Sequence, residues 1–383
     1  MSEYTNAIEG HYFLSAILFL LTFFYWIYKA SLQKASKKVH ASNEKTMLDV
    51  IYLRLVFLIL WFLTAFRGLS IGNDTIAYYE IYQTIQKYGV DPEREIEIGY
   101  QYFNAFLARI FPGSDAGFYL LLILSSSLLY WQIWKMIERK SPSFFLSIIV
   151  FFCLYYGTFQ SMIRQEIAIA IVLSGVPFLE QKKPFRFALF VIAASFFHSS
   201  ALVTLLFIIF YYYTFRWRWL VSGIVAATLI SLFNIPQKLM LVLRLKTAYA
   251  VQTDNFSAVT VMLMLYTIYL GLNILLPKEE RNWGQHGRSC EQVVHYGFLL
   301  WCMSAAIIFY IIAYSTAVME RMTLYFSLMS VIYVPEIIRR LKDQSTIFII
   351  SYVFTIMIWM YATIILLFRP EWNHIYPYSF FWS

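Results

Sequence analysis

The chain has 383 residues, of which 60% are hydrophobic, 20% aromatic and only 14% charged, and its formal net charge is +8. Soluble domains carry roughly 25% charged residues, and one soluble core of this length could not hide so much apolar surface. That excludes an ordinary cytosolic enzyme, a disordered chain and a disulfide-bonded secreted scaffold, and leaves an all-α polytopic integral membrane protein whose Lys and Arg mark cytoplasmic loops, not a nucleic-acid surface.

In chain order, apolar runs over 11–29, 50–66, 117–137, 143–158, 163–180, 185–197, 199–214, 217–234, 258–276, 293–314, 320–338 and 346–368 predict about twelve transmembrane helices in one membrane domain, 1–383. Helices are required because lipid offers the backbone no other partner, and the runs are too long and continuous for barrel strands. The first ten residues carry Glu3 and Glu9 and no basic residue, whereas the next loop carries Lys29, Lys34, Lys37, Lys38 and Lys45. The positive-inside rule puts the amino terminus outside and that loop inside. Continued alternation brings the basic loops Lys135–Lys140, Lys182–Arg186, Arg216–Arg218, Lys278–Arg288 and Arg339–Lys342 inside as well. The start of the chain lacks the basic n-region of a signal peptide. Residues 185–214 test this scheme, with Lys182, Lys183 and Arg186 before them and Arg216 and Arg218 after. A single helix would leave one cluster outside. Two short helices turning at Phe197-His198-Ser199-Ser200 keep both inside, so a hairpin is expected, with His198 near its outer tip.

Polar residues gather in the outward segments. The largest, 67–116, opens Arg67-Gly68-Leu69-Ser70-Ile71-Gly72-Asn73-Asp74-Thr75. It runs through Tyr78, Tyr79 and Tyr82, then Glu93, Glu95 and Glu97, to Gly99-Tyr100. Its stretch 98–111 is apolar but too short to cross, which predicts an interfacial or re-entrant helix. The tyrosines either stack on sugar rings or form an interfacial aromatic belt. The alternating glutamates read as a solvated acidic loop in preference to a metal site, and Asp74 either meets substrate or pairs with Arg67. A second point is Gln160-Ser161-Met162-Ile163-Arg164-Gln165-Glu166. Arg164 opens a helix there, where a cation opposes the helix dipole. A bound anion explains it, as does a salt bridge to Glu166 or snorkelling to lipid phosphate. His198 is either a hydrogen-bonded core residue or a base for a hydroxyl near neutral pH. The outer loop 235–257, with Lys238, Arg244 and Lys246 among leucines, reads as an interfacial helix; the cytoplasmic loop 277–292 holds Trp283, His286 and Cys290. Glu320-Arg321, followed by Thr323 and Tyr325, sits at an outer helix start as either a structural pair or a functional one. Cys153, Cys290 and Cys302 have no CxxC spacing. With no Walker loop, dinucleotide fingerprint or HExxH either, neither cofactor nor metal is expected.

Taken together and in this order, these runs resemble one family. Arg67-Gly68…Gly72-Asn73-Asp74-Thr75…Tyr78 is similar to the signature of the EpsG-like proteins, which belong with the Wzy-type polysaccharide repeat-unit polymerases. Glu97-x-Gly99-Tyr100, Arg164-Gln165-x-Ile167-Ala168, His198-Ser199-Ser200-Ala201-Leu202, Glu320-Arg321 and the closing Tyr376-Pro377-Tyr378 carry the likeness over most of the chain. The resemblance implies a multi-pass enzyme of the bacterial inner (plasma) membrane with its active site facing the periplasm or exterior. It would transfer a growing glycan from undecaprenyl pyrophosphate to the nonreducing end of a lipid-linked repeat unit, building an O-antigen, capsule or exopolysaccharide. Its partners would be undecaprenyl-pyrophosphate-linked oligosaccharide and membrane lipid, with a chain-length regulator and a flippase alongside. A pyrophosphate leaving group calls for fixed positive charge, which assigns Arg164 and Arg321 to it with Arg67 in support. His198 orients or deprotonates the acceptor hydroxyl, Asp74 and Glu97 position sugar or stabilise positive charge, and Tyr78, Tyr79 and Tyr100 bind sugar. All of them are expected to meet in one outward hollow.

Two other classes compete. A polyprenyl-phosphate-sugar-dependent membrane glycosyltransferase shares the acidic outer loop and could use a metal at Glu93–Glu97. A lipid-linked oligosaccharide flippase or secondary transporter would string its ionisable residues along a path through the membrane, whereas here they gather on one side. An acyltransferase using His198 lacks an accompanying HxxxxD spacing.

Overall fold

The computed structural model describes residues 47–242, 256–276, 290–341, 344–368, 374–375 and 378–382. The expected span 11–29, its basic loop through Lys45, residues 243–255 of the outer loop, 277–289 of the cytoplasmic loop, and Tyr376 and Pro377 lie outside the described residues. Among the described residues every regular element is helical, and an isolated bridge joins Arg67 to Phe380. The chain divides into two compact units: one of Met1–Pro92, Ile98–Ala170 and Tyr352–Ser383, the other of Glu93–Glu97 and Ile171–Ser351.

The first unit is built on α1 (Met47–Ala65) and α4 (Ala116–Lys140), which run antiparallel. Trp61 Nε1 donates to Ser127 Oγ at 3.0 Å, and toward the other end Arg54 Nη2 reaches Glu138 Oε1 at 3.4 Å. Between them in sequence come α2 (Thr75–Tyr88) and α3 (Ile98–Ile110), which pack on each other, and α3 packs on α4. α5 (Phe144–Phe151) is capped by Ser143, whose hydroxyl accepts the Leu146 N–H at 3.5 Å. It then widens into a π turn, Phe152–Tyr156, and closes with Gly157–Phe159. The π turn rotates the helix face and buries Leu154, Tyr155 and Tyr156. α6 (Ile163–Glu180) begins in this unit.

Polarity here is inverted relative to a water-soluble fold. α1 exposes Leu55, Leu58 and Phe62 while burying Thr64, and α4 exposes Leu124, Leu128 and Trp131 while burying Ser125 and Ser126. α3 buries Gln101 and Asn104 and turns Tyr102, Phe106 and Ile110 outward. Lipid as the solvent accounts for this, since polar groups must then find partners inside.

The second unit is centred on α12 (Cys290–Ala313). Around it pack α8 (Leu206–Tyr212), α9 (Trp217–Leu232), α11 (Phe256–Gly271), α13 (Ala317–Ser327) and α14 (Ser330–Arg340). Of the apolar window of α12, 67% is buried, against 39% for α1, which marks α12 as the interior helix of its unit. The hairpin expected over 185–214 is present. α7 (Pro184–Ser195), opened by a proline at its first turn, leads to a break at Phe196–His198, a 3₁₀ segment Ser199–Leu205 and α8. Phe187 and Phe207, eight residues on either side of the break, stack at 6.2 Å, so the two arms are antiparallel.

Among the described residues three helices are long and apolar enough to cross a membrane: α1, α4 and the His295–Ala313 part of α12; α13 and α14, bent by 45° at their junction, make a fourth if taken as one span. The other expected spans are shorter apolar helices, such as 184–195 and 217–232. α6 forms over 163–180 as read, but Arg164, Glu166 and Glu180 keep it from being apolar enough to count among them. α10 (Ile235–Val242) follows α9, and α15 (Gln344–Phe368) closes the helical part.

Candidate active site

Two of the polar points picked out in the sequence come together inside the first unit. At the end of α1, Thr64 is a hub. Its hydroxyl donates to Leu60 O at 3.0 Å, so the Tyr130 phenol, 2.7 Å away, must donate to it, as does Gln160 Nε2 at 2.8 Å. Arg67 Nη1 donates to Thr64 O at 2.6 Å. The Gly72-Asn73-Asp74-Thr75 turn then docks on the Gln160-Ser161 turn: Asn73 N–H donates to Ser161 Oγ at 2.9 Å and Thr75 Oγ1 to Ile71 O at 2.6 Å. Gly72 has φ +83, and a Cβ there would lie 2.0 Å from Gln160 O, so only glycine fits.

Arg67 is fully buried, and its Nε and Nη2 have no hydrogen-bond partner among the described residues. Asp74 caps α2 by position only; its half-exposed carboxylate makes no hydrogen bond or ion pair among the described residues, so the Arg67–Asp74 pairing is not formed. Arg164, half-buried in the first turn of α6, lies with its guanidinium carbon 5.7 Å from the Tyr78 ring centre. Tyr78 in turn meets Tyr100 edge-on at 5.8 Å. The Arg164–Glu166 salt bridge is also not formed: among the described residues both Glu166 oxygens are buried without a hydrogen bond, and the Ser125 hydroxyl donates to Leu122 O at 3.1 Å.

Of the three tyrosines expected at sugar, Tyr78 and Tyr100 are buried and form the wall beside Arg164; Tyr79 is half-exposed. Burial pushes the Tyr79 phenol up to about 12, with the Asp115 carboxylate adding to it, so it keeps its proton at physiological pH. Gln83 Nε2 donates to the same phenol oxygen at 2.7 Å, and Phe118 meets the ring edge-on at 5.3 Å.

The second unit holds Glu97, His198 and Arg321. His198 is the residue before the 3₁₀ segment, in extended conformation. Its Nδ1 lies 3.2 Å from Glu97 Oε1, and the two side chains are 11% and 9% exposed, so their contact is shielded from water. The same oxygen accepts the Ser199 N–H at 3.1 Å and the Ser199 hydroxyl at 3.3 Å. The carboxylate thus sits at the start of a helical segment, where unpaired N–H groups favour an anion. With Nδ1–H donating to Glu97, the imidazole lone pair is carried by Nε2, the arrangement that a general base needs. Ser200 Oγ donates to the Tyr325 phenol at 3.4 Å, and α13 packs on the 3₁₀ segment. Arg321 is half-buried, one turn before Tyr325 and on the same face of α13.

Sequence reasoning gave Glu97 to sugar or to a positive charge, weighed Glu166 only as a salt-bridge partner of Arg164, and left Ser199, Tyr325 and Gln160 without roles. In the structure Glu97 engages His198, 101 positions away, a contact that no local pattern announces. Glu166 carried the one available signal, an ionisable residue inside an expected span. Among the described residues no group of three or more His, Cys, Asp or Glu side chains is arranged to hold a metal ion.

A family model described as the EpsG family matches residues 50–380. No curated protein and no solved structure matches the chain.

Proposed function

The chain belongs to the EpsG family, and on that premise we propose that it is a membrane glycosyltransferase that polymerises lipid-linked oligosaccharide repeat units on the outer leaflet of the bacterial inner membrane. The family match along most of the chain carries this reading, and the shielded Glu97–His198 contact supplies the acid–base group that it needs.

In the step we propose, a hydroxyl at the nonreducing end of one repeat unit attacks the anomeric carbon of the growing chain. The new C–O bond forms as the bond to pyrophosphate breaks, and undecaprenyl pyrophosphate leaves with the electron pair. His198 takes the hydroxyl proton at Nε2, and Glu97 holds the ring in that tautomer and stabilises the imidazolium that results. Arg164 and Arg321 serve the pyrophosphate, where guanidinium geometry suits two oxygens at once, and Arg67 supports them. Asp74, whose carboxylate has no hydrogen bond or ion pair among the described residues, is available to accept sugar hydroxyls. Tyr79 offers an accessible ring edge to the glycan, while Tyr78 and Tyr100 hold Arg164 in place. A chain-length regulator and a flippase would act beside it.

The test is gel analysis of surface polysaccharide after deletion of the gene. A polymerase loss leaves one-unit glycans on the surface, whereas loss of a flippase leaves no surface repeat unit at all. Arg164→Ala and Arg321→Ala at normal abundance should reproduce the one-unit pattern. Long chains in both variants would overturn the arginine assignments.

A further inference from the structure

We infer that Tyr378–Trp382 clasp the end of α1 and set the position of Arg67, which makes them positioning residues for the reaction. Both stretches belong to the first unit. A helix leaves its last carbonyls without intrahelical partners, and a buried end must find others. Here the distant segment supplies them. The Tyr378 hydroxyl donates to Leu63 O, and the Phe381 N–H donates to Phe66 O at 3.2 Å. The Gly68 N–H donates to Ser379 O at 2.7 Å. The backbone on either side of Arg67 is thus bonded to the backbone on either side of Phe380, and the two residues face each other in an antiparallel bridge. Further on, Ser70 Oγ lies 2.9 Å from Ser379 Oγ, 309 positions later. The Gly72 N–H donates to His374 O at 2.9 Å, which holds the turn that docks on Gln160-Ser161. Rings close the clasp from the apolar side. Phe381 stacks on Phe66 at 6.0 Å and on Tyr119 at 4.5 Å, and so ties the end of α1 to the start of α4.

No residue of Tyr378–Trp382 is acidic, basic or a histidine, so the clasp brings no charge to the reaction. What it fixes is the backbone from which Arg67 and the Gly72 turn project. Gly68 shows how closely the two stretches approach. Its φ is not positive, so backbone conformation makes no demand for glycine. Space does, because a Cβ there would lie 2.5 Å from Ser379 Oγ and 3.2 Å from Phe380 O. Any bulk at 68 must therefore push the clasp away from Arg67. The positioning role rests on the polymerase reading given above.

The test uses the full-length protein, read by melting in detergent and by the yield of long-chain glycan in cells at equal protein abundance. A displacement of about 1 Å can cost about 10²-fold in rate, so G68A should lose about that much of its long-chain yield. S379A removes the oxygen that the new methyl group would strike, so G68A/S379A should regain roughly tenfold over G68A. No recovery in the double variant would overturn the contact. A clasp that served folding alone would lower the melting temperature of G68A and leave its yield unchanged, and that result would overturn the positioning role. If G68A fails to accumulate, S70C/S379C decides the matter, in a background with Cys153, Cys290 and Cys302 replaced. Treatment with diamide should join the two thiols, read as loss of maleimide labelling, and the joined protein should still make long chains. Thiols that stay apart would overturn the docking. A joined protein that is inactive until reduced would overturn a fixed clasp, since the segment would have to leave during turnover. If deletion of the gene leaves chain length unchanged, the polymerase reading fails and the positioning role with it, while joining of the thiols still decides the docking.

Discussion

At the scale of single residues, chemistry concentrates where a carboxylate has been spent on orienting another group. Glu97 Oε1 accepts from His198 Nδ1, the Ser199 N–H and the Ser199 hydroxyl. An isolated imidazole samples two tautomers and rotates about its side-chain bonds, whereas one held this way presents a single lone pair in a fixed direction. His198→Gln keeps the volume and some polarity but removes the base. Polymerisation should fall by about 10²–10⁴-fold in a reconstituted assay with lipid-linked repeat units, at unchanged protein abundance. Glu97→Gln leaves the base in place but without its charge partner, and should lose about 10²-fold, at the lower end of that range. A Glu97→Gln enzyme working at the parental rate would remove Glu97 from the mechanism. The same logic separates Tyr79, with its half-exposed ring, from Tyr78 and Tyr100, whose rings are committed to the wall beside Arg164.

Among the elements, the turn at Gly72 shows how a short motif becomes a requirement of packing. Gly72 and Gly89 share almost the same positive φ, +83 and +82, but a Cβ at 72 would strike the Gln160 carbonyl at 2.0 Å, while nothing lies within 4 Å at 89. Gly89, with ψ −170, occupies a backbone region that is nearly glycine's alone, so Gly89→Ala should cost only that strain, about 1–3 kcal/mol. Gly72→Ala adds a clash with a backbone atom that cannot swing aside, and should lower the melting temperature in detergent well beyond the Gly89 variant. Equal losses would mean that the 72 turn yields freely. What the sequence could announce at this scale was whatever local spacing and charge encode. The helices at 47–65, 116–140 and 163–180, the short helix at 98–110 and the hairpin over 185–214 were legible for that reason, whereas the helix at 75–88 and the bend between 327 and 330 were not. The π turn at Phe152–Tyr156 was not, because a one-residue widening leaves the apolar run unchanged. Nor was the partner of Glu97. Glu166 was weighed as the partner of Arg164 because it is two positions away, yet residues that close on a helix point in different directions, and among the described residues both Glu166 oxygens are buried without a hydrogen bond.

For the molecule as a whole, the direction in which the candidate chemistry faces is set by which ends of the helices share a side. Within the first unit, antiparallel α1 and α4 put the Arg67–Thr75 run at one end and the basic Arg139 and Lys140 of α4 at the other. The hairpin of the second unit does the same, with His198 at its tip and the basic flanks of both arms at its base. Each unit therefore separates its basic cluster from its candidate chemistry, as the positive-inside rule requires if that chemistry faces outward. The hairpin allows this to be measured. In a background with Cys153, Cys290 and Cys302 replaced, Phe196→Cys sits beside the tip, and Gln181→Cys and Thr214→Cys sit at the two ends of the base; all three positions are exposed. A membrane-impermeant thiol reagent applied to intact cells should label the Phe196 variant and spare the other two until the membrane is opened. A single helix through 185–214 would instead place positions 181 and 214 on opposite sides, and one of them would react in intact cells. The reverse pattern, with only the base reactive, would turn His198 toward the cytosol, away from any substrate presented on the outer leaflet.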